Sequence, residues 1–251
     1  MSSQGSRTMR MLYVSNGTID NSYIDYMLEA LHENREIDVE VLFSQAKTKN
    51  TIEQLMNKVK LPLDTNKVND KLLKKVKENK YDVVLVIKGN FIYPSTLRKI
   101  KHLNPSIHLS YFSNDNMCKW HNKSLFLHFG LKYYDSLYII DIEAYKKIES
   151  KAKGRLFYVN KCYSEKYHNS HHNLNKRYDV LFIGSYERDR YNMIKTLAKN
   201  GVRVDVFGNG WGNISTNNES NLRIHRKQLI GDEYARAISH AKITLGFLRK
   251  I

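Results

Sequence analysis

Residues 81–88, YDVVLVIK, are apolar at most positions and sit between polar stretches, so any fold of this chain has to bury a short segment on both faces. A half-exposed strand alternates apolar and polar residues. A β-branched run without alternation, too short for a buried helix, fits the centre of a parallel sheet. The neighbouring sequence supplies what such a sheet needs. Residues 10–15 (RMLYVS) are a second compact apolar run, closed by Asn16-Gly17, and predict a buried first strand. Tyr23, Met27, Leu28 and Leu31 recur at helical spacing and predict a helix over 21–33, whereas Ile37, Val39, Val41 and Phe43 alternate as a strand. Lys-rich helical stretches follow at 51–59 and 69–79. Pro94 opens a helix to residue 102, since its fixed φ suits a first helical turn. Residues 107–112 read as a strand ended by the polar turn Ser113-Asn114-Asp115-Asn116. Weaker strands at 136–140 and 156–159 flank a helix over 142–150.

Residues 161–177 (KCYSEKYHNSHHNLNKR) are polar and without apolar periodicity, as in an inter-domain linker or a surface loop. A second series starts beyond them: strand 178–183 (YDVLFI), the turn Gly184-Ser185, and a helix over 187–200 capped by Gly201. Strand 202–207, loop 208–213, a short strand at 222–225, helix 231–241 and strand 242–248 complete it. Strands alternating with helices define an α/β protein with two Rossmann-like parallel-sheet domains. The expected boundaries are 9–163 for the first domain, 164–177 for a linker, and 178–251 for a second domain that is incomplete.

No apolar run reaches the roughly 18 residues of a membrane span, and the polar first ten residues lack the apolar core of a secretory signal. Cys118 and Cys162 have no metal-site or redox spacing, which fits free thiols in a reducing cytoplasm. The net charge of +16 allows two readings: a functional basic face, or the Lys/Asn/Ile-rich usage expected of AT-rich coding DNA.

Ligands of such sheets bind beyond the carboxyl ends of the strands. Asn16 and Gly17 follow the first strand, but no GxGxxG fingerprint is present. Asp115 is the best-placed carboxylate of the first half and His121 lies close by in sequence. Either is a candidate general base, and a helix cap or turn is the bland alternative for Asp115. Gly184 and Ser185 lead straight into a helix whose N-terminus offers N–H donors, with Arg188 or Arg190 positioned for a diphosphate or for pairing with Glu187 and Asp189. Gly208, Gly210 and Gly212 surround Trp211 after a strand, a loop that needs close backbone approach or is simply a tight turn. His168, His171 and His172 lack a matching carboxylate or thiolate, and no metal site is expected.

The stretch VLFIGSYERDRYNMIKTLAKNGVRVDVFGNGW, followed by GDEYARAISHAKITLGFLRK, resembles the C-terminal domain of the CgeB-like glycosyltransferases, named for a spore-maturation protein. The likeness covers 178–250 well and 9–163 more diffusely. It implies a GT-B architecture with a nucleotide-sugar donor as substrate, no cofactor, and no divalent metal. On this likeness Gly184, Ser185 and Arg188 lie near the diphosphate, Gly208, Gly210 and Trp211 shape the loop beside the nucleotide, and Asn16, Gly17 and Asp115 belong to the acceptor side. In relatives the chain continues into a Glu-bearing helix that grips the donor, so 251 residues are expected to stop short of a full donor site.

The expected activity is therefore metal-independent sugar transfer from a nucleotide sugar to a hydroxyl on a glycan, protein or small-molecule acceptor, in the cytoplasm. Peripheral contact with an anionic membrane stays open, and nucleic acid is not expected. The alternatives are a non-catalytic basic binding module and an inactive GT-B remnant serving as a scaffold.

Overall fold

The computed structural model describes residues 7–15, 26–44, 55, 56, 58–169, 171, 174–212, 214 and 220–247. The chain forms two compact units, divided between Lys161 and Cys162.

The first unit is a six-stranded parallel sheet, β1 (Met9–Ser15), β2 (Ile37–Phe43), β3 (Val83–Ile87), β4 (His108–Ser113), β5 (Ser136–Ile139) and β6 (Arg155–Tyr158), in the order β2-β1-β3-β4-β5-β6. As the apolar run predicts, β3 is internal, in register with β1 on one side and β4 on the other. Its two faces differ, however: Val84 and Val86 are fully buried, while Val83 and Leu85 are half-buried. The core lies on the face covered by α2 (Val68–Glu78), α3 (Pro94–Leu103), α4 (Leu125–Gly130) and α5 (Ile142–Ile148), which contribute Leu72, Leu97, Ile100, Leu127 and Ile148. α1 (Tyr26–Glu33) buries none of its residues.

Ile37, Val39, Val41 and Phe43 lie in β2 as their alternation predicts, and Leu42 is its buried residue, at the edge of the sheet where β2 pairs only with β1. The segment between the Asp115 turn and β5, to which periodicity assigns no element, contains α4, whose N-cap is Ser124. Ser124 Oγ accepts from Leu127 N at 3.4 Å and donates to the Asn90 carbonyl at 2.8 Å, so one hydroxyl both starts the helix and ties it to the end of β3. The predicted helix over 51–59 and residues 21–25 of the predicted first helix fall largely or wholly outside the described residues.

In the middle of β2, Glu40 accepts hydrogen bonds from Lys75 and from Tyr81. Both bonds hold its carboxyl below the ordinary value of 4.5, while burial and the same carboxylate push the Tyr81 hydroxyl well up. A depressed carboxyl contributes stability that is full above its unfolded value and is lost as pH falls through the folded one. We therefore expect the wild-type chain to lose stability below about pH 4.5 more steeply than Glu40→Gln. Superimposable acid melting curves for the two would refute this.

The second unit is a four-stranded parallel sheet, β7 (Tyr178–Ile183), β8 (Val204–Phe207), β9 (Leu222–Ile224) and β10 (Ala241–Leu245), in the order β10-β7-β8-β9. α6 (Arg188–Lys199) packs with β8 and β9 around Ile194, Val204, Val206 and Trp211. α7 (Gly231–Ser239) contributes Ala237 to a second cluster with Leu181 and Phe207. Gly201 ends α6 as predicted, at φ +84°, where its N–H bonds the Ala198 carbonyl. The described part of the polar stretch at 164–177 is fastened to this unit. His171 N donates to Ser239 Oγ, Lys176 Nζ to the Ser239 carbonyl, and Arg177 N to the His240 carbonyl. Among the described residues Cys118 and Cys162 form no disulfide, and no helix is long and apolar enough to cross a membrane.

Candidate functional site

In the second sheet the chain runs outward from β7 through β8 to β9, then returns to the other side of β7 as β10. Connections leaving β7 and β10 thus diverge, and the crevice beyond their carboxyl ends is the switch point where parallel sheets take ligands. Gly184, Ser185, Tyr186 and Glu187 occupy it and lead into α6. Glu187, the N-cap of α6, makes no side-chain cap bond to its first turn, whose N–H groups and positive dipole end suit an anion or solvent. A surface cavity of about 580 Å³ opens here, lined by Glu187, Arg188, Asp189, Arg190, Met193 and Phe247. Phe247, just past β10, packs edge-on against Phe182 of β7 with ring centroids 5.1 Å apart, so both sides of the switch point reach the same place.

The two arginines of this turn divide the roles that sequence left undecided. Arg190 is folded back: Nη1 donates to the Ser185 carbonyl at 3.1 Å, Nη2 pairs with Glu187 at 3.3 Å, and its side chain is only 13% exposed. It braces the turn. Arg188 is exposed and has no ion-pair partner among the described residues, as does Ser185 stand exposed beside it.

The glycine loop after β8 is built against this turn, backbone to backbone. Gly208, at φ +138°, sits so close that a Cβ there would lie 2.1 Å from the Gly184 oxygen. Gly184 N donates to the Phe207 carbonyl at 2.9 Å and Tyr186 N to the Asn209 carbonyl at 2.8 Å. At Gly210, φ +83°, a Cβ would be 3.1 Å from Tyr186 Cβ. Trp211 is buried among Phe182, Tyr186 and Tyr191, and its Nε1 donates to the Gly184 carbonyl at 2.9 Å. It holds the loop from within rather than presenting a ring to solvent.

In the first unit Asp115 lies in the turn after β4 and forms a 2.6 Å ion pair with Lys88, the residue after β3. The turn itself is closed by Ser113, whose Oγ accepts from Asp115 N and donates to the Asp115 carbonyl, while the Asp115 carboxylate is given to Lys88. Lys88 and Gly89 are both left-handed, at φ +61° and +59°, and strain of this kind in a non-glycine residue gathers at functional sites. Lys88 escaped sequence reading, although a lysine closing an apolar strand before Gly-Asn is a visible signal. Asn16 and Gly17 lie outside the described residues. His121 falls in the turn Trp120–Asn122, and its side chain is not described. Also unforeseen is Asp205, buried in β8, which bonds His225 Nε2 at 2.7 Å while that imidazole stacks on Phe207 at 4.1 Å. Of the histidines in the polar stretch, His171 Nε2 bonds Asp232 at 2.9 Å and His168 Nδ1 accepts from Ser164 N. Among the described residues no group of three His, Cys, Asp or Glu is arranged to hold a metal.

No family model matches the chain. No curated protein matches it by sequence. Solved structures do match in fold. One is S. aureus MnaA in a co-structure with UDP, at TM-score 0.52 and 10% identity over 92% of this chain and 71% of that one. Another is a mutant O-GlcNAc transferase of Thermobaculum terrenum, at TM-score 0.50 and 11% identity over 95% of this chain. The chain spans 48% of that protein's length. At such identities the likeness is one of fold. The chain is an α/β protein whose two parallel-sheet units are of the GT-B type.

Proposed function

We propose that this chain is a glycosyltransferase that holds a nucleotide-sugar donor at the turn between β7 and α6 and passes the sugar to a hydroxyl acceptor, as its resemblance to the CgeB-like enzymes implies. One observation carries the reading: a helix N-terminus at the switch point of the second sheet whose N-cap residue makes no capping bond, with Arg188 beside it, exposed and without an ion-pair partner among the described residues. Main-chain N–H groups and a guanidinium together suit a diphosphate, and they neutralise it without a divalent ion. The fold shared with a protein solved with UDP and with an O-GlcNAc transferase supports the same direction.

Gly184 and Gly208 keep side chains away from the diphosphate path, and Trp211 and Arg190 hold the turn in shape. Asp115 is the candidate to take the acceptor's proton. Its pair with Lys88 engages Oδ2 and leaves Oδ1 for a hydroxyl. A glycan, a protein or a small molecule would serve as acceptor.

With EDTA present, UDP, GDP or dTDP is expected to raise the melting temperature. Arg188→Ala should weaken the binding of the effective nucleotide about tenfold, the worth of one charge-assisted contact. Absence of stabilisation by all three would sink the proposal. Affinity for a polynucleotide instead, falling steeply with salt, would point to a basic binding module.

A further inference from the structure

The first unit contains a cavity of about 640 Å³ on the flank between α4 and α5, whose lining includes neither Lys88 nor Asp115. Its volume falls within the roughly 300–1,000 Å³ of small-molecule sites. The floor is aliphatic: Met117, Leu127, Leu131 and Ile148 line it, each between 2% and 7% exposed. The rim is cationic. Lys60, Lys123, Lys147 and Lys151 all border the cavity, and no aspartate or glutamate does. None of these four has a carboxylate partner among the described residues, whereas Lys75, Lys88 and Lys101 of the same unit each pair with an acid. Asp141, a carboxylate that acts electrostatically on the Cys118 thiol, caps α5 by accepting from Ala144 N at 2.9 Å. Trp120 stands at the mouth, 69% exposed, with the Lys60 ammonium 4.5 Å from its ring.

We propose that this groove binds an anionic amphiphile, a molecule with an aliphatic body and a phosphate or carboxylate head. The body would replace water over the four aliphatic residues, and the head would sit among Lys123, Lys147 and Lys151. A nucleotide fits poorly, because the lining has few groups to pair with a base. Ser124, the only hydroxyl of the lining, already donates to the Asn90 carbonyl. A free anion would leave the floor unused. A bilayer surface would not reach residues this deeply buried.

Cys118 lines the cavity and supplies the readout. Burial pushes its thiol up, and Lys147, Lys151 and Lys123 act on it in the opposite sense, which places all three ammonium groups within electrostatic range of it. With Cys162→Ser, Cys118 becomes the only thiol in the chain. The test uses the full chain carrying that substitution and decyl phosphate below its micellar concentration as the probe. Decyl phosphate is expected to slow alkylation of Cys118 by N-ethylmaleimide at least tenfold. Lys147→Ala with Lys151→Ala, both exposed on one side of the groove, should weaken its calorimetric affinity about tenfold at an unchanged melting temperature. Trp120→Ala should weaken it several-fold without touching charge.

Decanol and inorganic phosphate at equal concentration should leave alkylation unaffected. Equal protection by decanol would reduce the site to an apolar void, and equal protection by phosphate to a simple anion patch. Either result overturns the proposal, as does unaltered affinity in the double variant. Protection by phosphatidylglycerol vesicles but not by decyl phosphate overturns it too, in favour of a bilayer contact. The outcome is independent of whether the second unit binds a nucleotide.

Discussion

Gly208→Ala is expected to destabilise the second unit by about 3 kcal/mol or more. Two costs combine. At φ +138° the backbone is in a region that side chains rarely enter, and the new Cβ would meet the Gly184 oxygen at 2.1 Å. The obstacle is main chain, so no side chain can rotate out of the way. Relief requires the loops after β7 and β8 to separate, which breaks the hydrogen bonds from Gly184 N to Phe207 and from Tyr186 N to Asn209. Two other glycines calibrate the result. Gly201 is left-handed at φ +84° but faces open space, so alanine there should cost only about 1–2 kcal/mol. At Gly212, with no contact within 4 Å, the change should stay within about 0.5 kcal/mol. Urea unfolding followed by tryptophan fluorescence reports the right unit, since Trp211 is buried there and Trp120 is exposed in the other. Equal midpoints for the substitutions at Gly208 and Gly212 would show that the two loops do not depend on their close approach. Nucleotide affinity should fall along with stability if the turn is the diphosphate site.

Trp211→Ala is expected to cost about 3–5 kcal/mol, as for a large aromatic removed from a packed core. The indole is 1% exposed, makes edge contacts with Phe182 and Tyr186, and donates to the Gly184 carbonyl. Trp211→Phe restores much of the packing but leaves that carbonyl unpaired, and should cost about 1–3 kcal/mol. The pair of variants separates two roles. A ring acting as an open platform for a nucleotide base would, when removed, weaken binding at unchanged stability. A ring bracing the loop from inside would lose stability first and binding in consequence. The second pattern is expected, and alanine at 211 with a wild-type unfolding midpoint would refute it.

The same loops show how far the residues alone could be read. Gly184-Ser185 before a helix and three glycines around a tryptophan mark close backbone approach, because few other functions require so many positions without a Cβ. Which backbones approach one another is a long-range matter. The partners Gly184 and Gly208 are brought together by register between β7 and β8, in which Ile183 faces Phe207. The division between Arg188 and Arg190 was likewise hidden. Both are arginines on one helical turn, and only the path of the Ser185 carbonyl and the position of Glu187 draw one inward and leave the other out. Lys88 could be seen as a lysine at a strand end, but its pairing with Asp115 depends on β3 and β4 being neighbours.

The alternation of strands and helices, the parallel α/β class, the internal position of β3 and the glycine turns follow from local periodicity and backbone sterics, and so were determined by the residues themselves. The half-covered face of the first sheet, the edge position of β2, the inward turn of Trp211 and the lysine-rimmed groove between α4 and α5 were decided only in three dimensions. Strand order chooses which side chains meet, and sequence distance carries no record of it. Lys60 and Lys151 are far apart along the chain and border one cavity because the helices between them fold back over the same sheet.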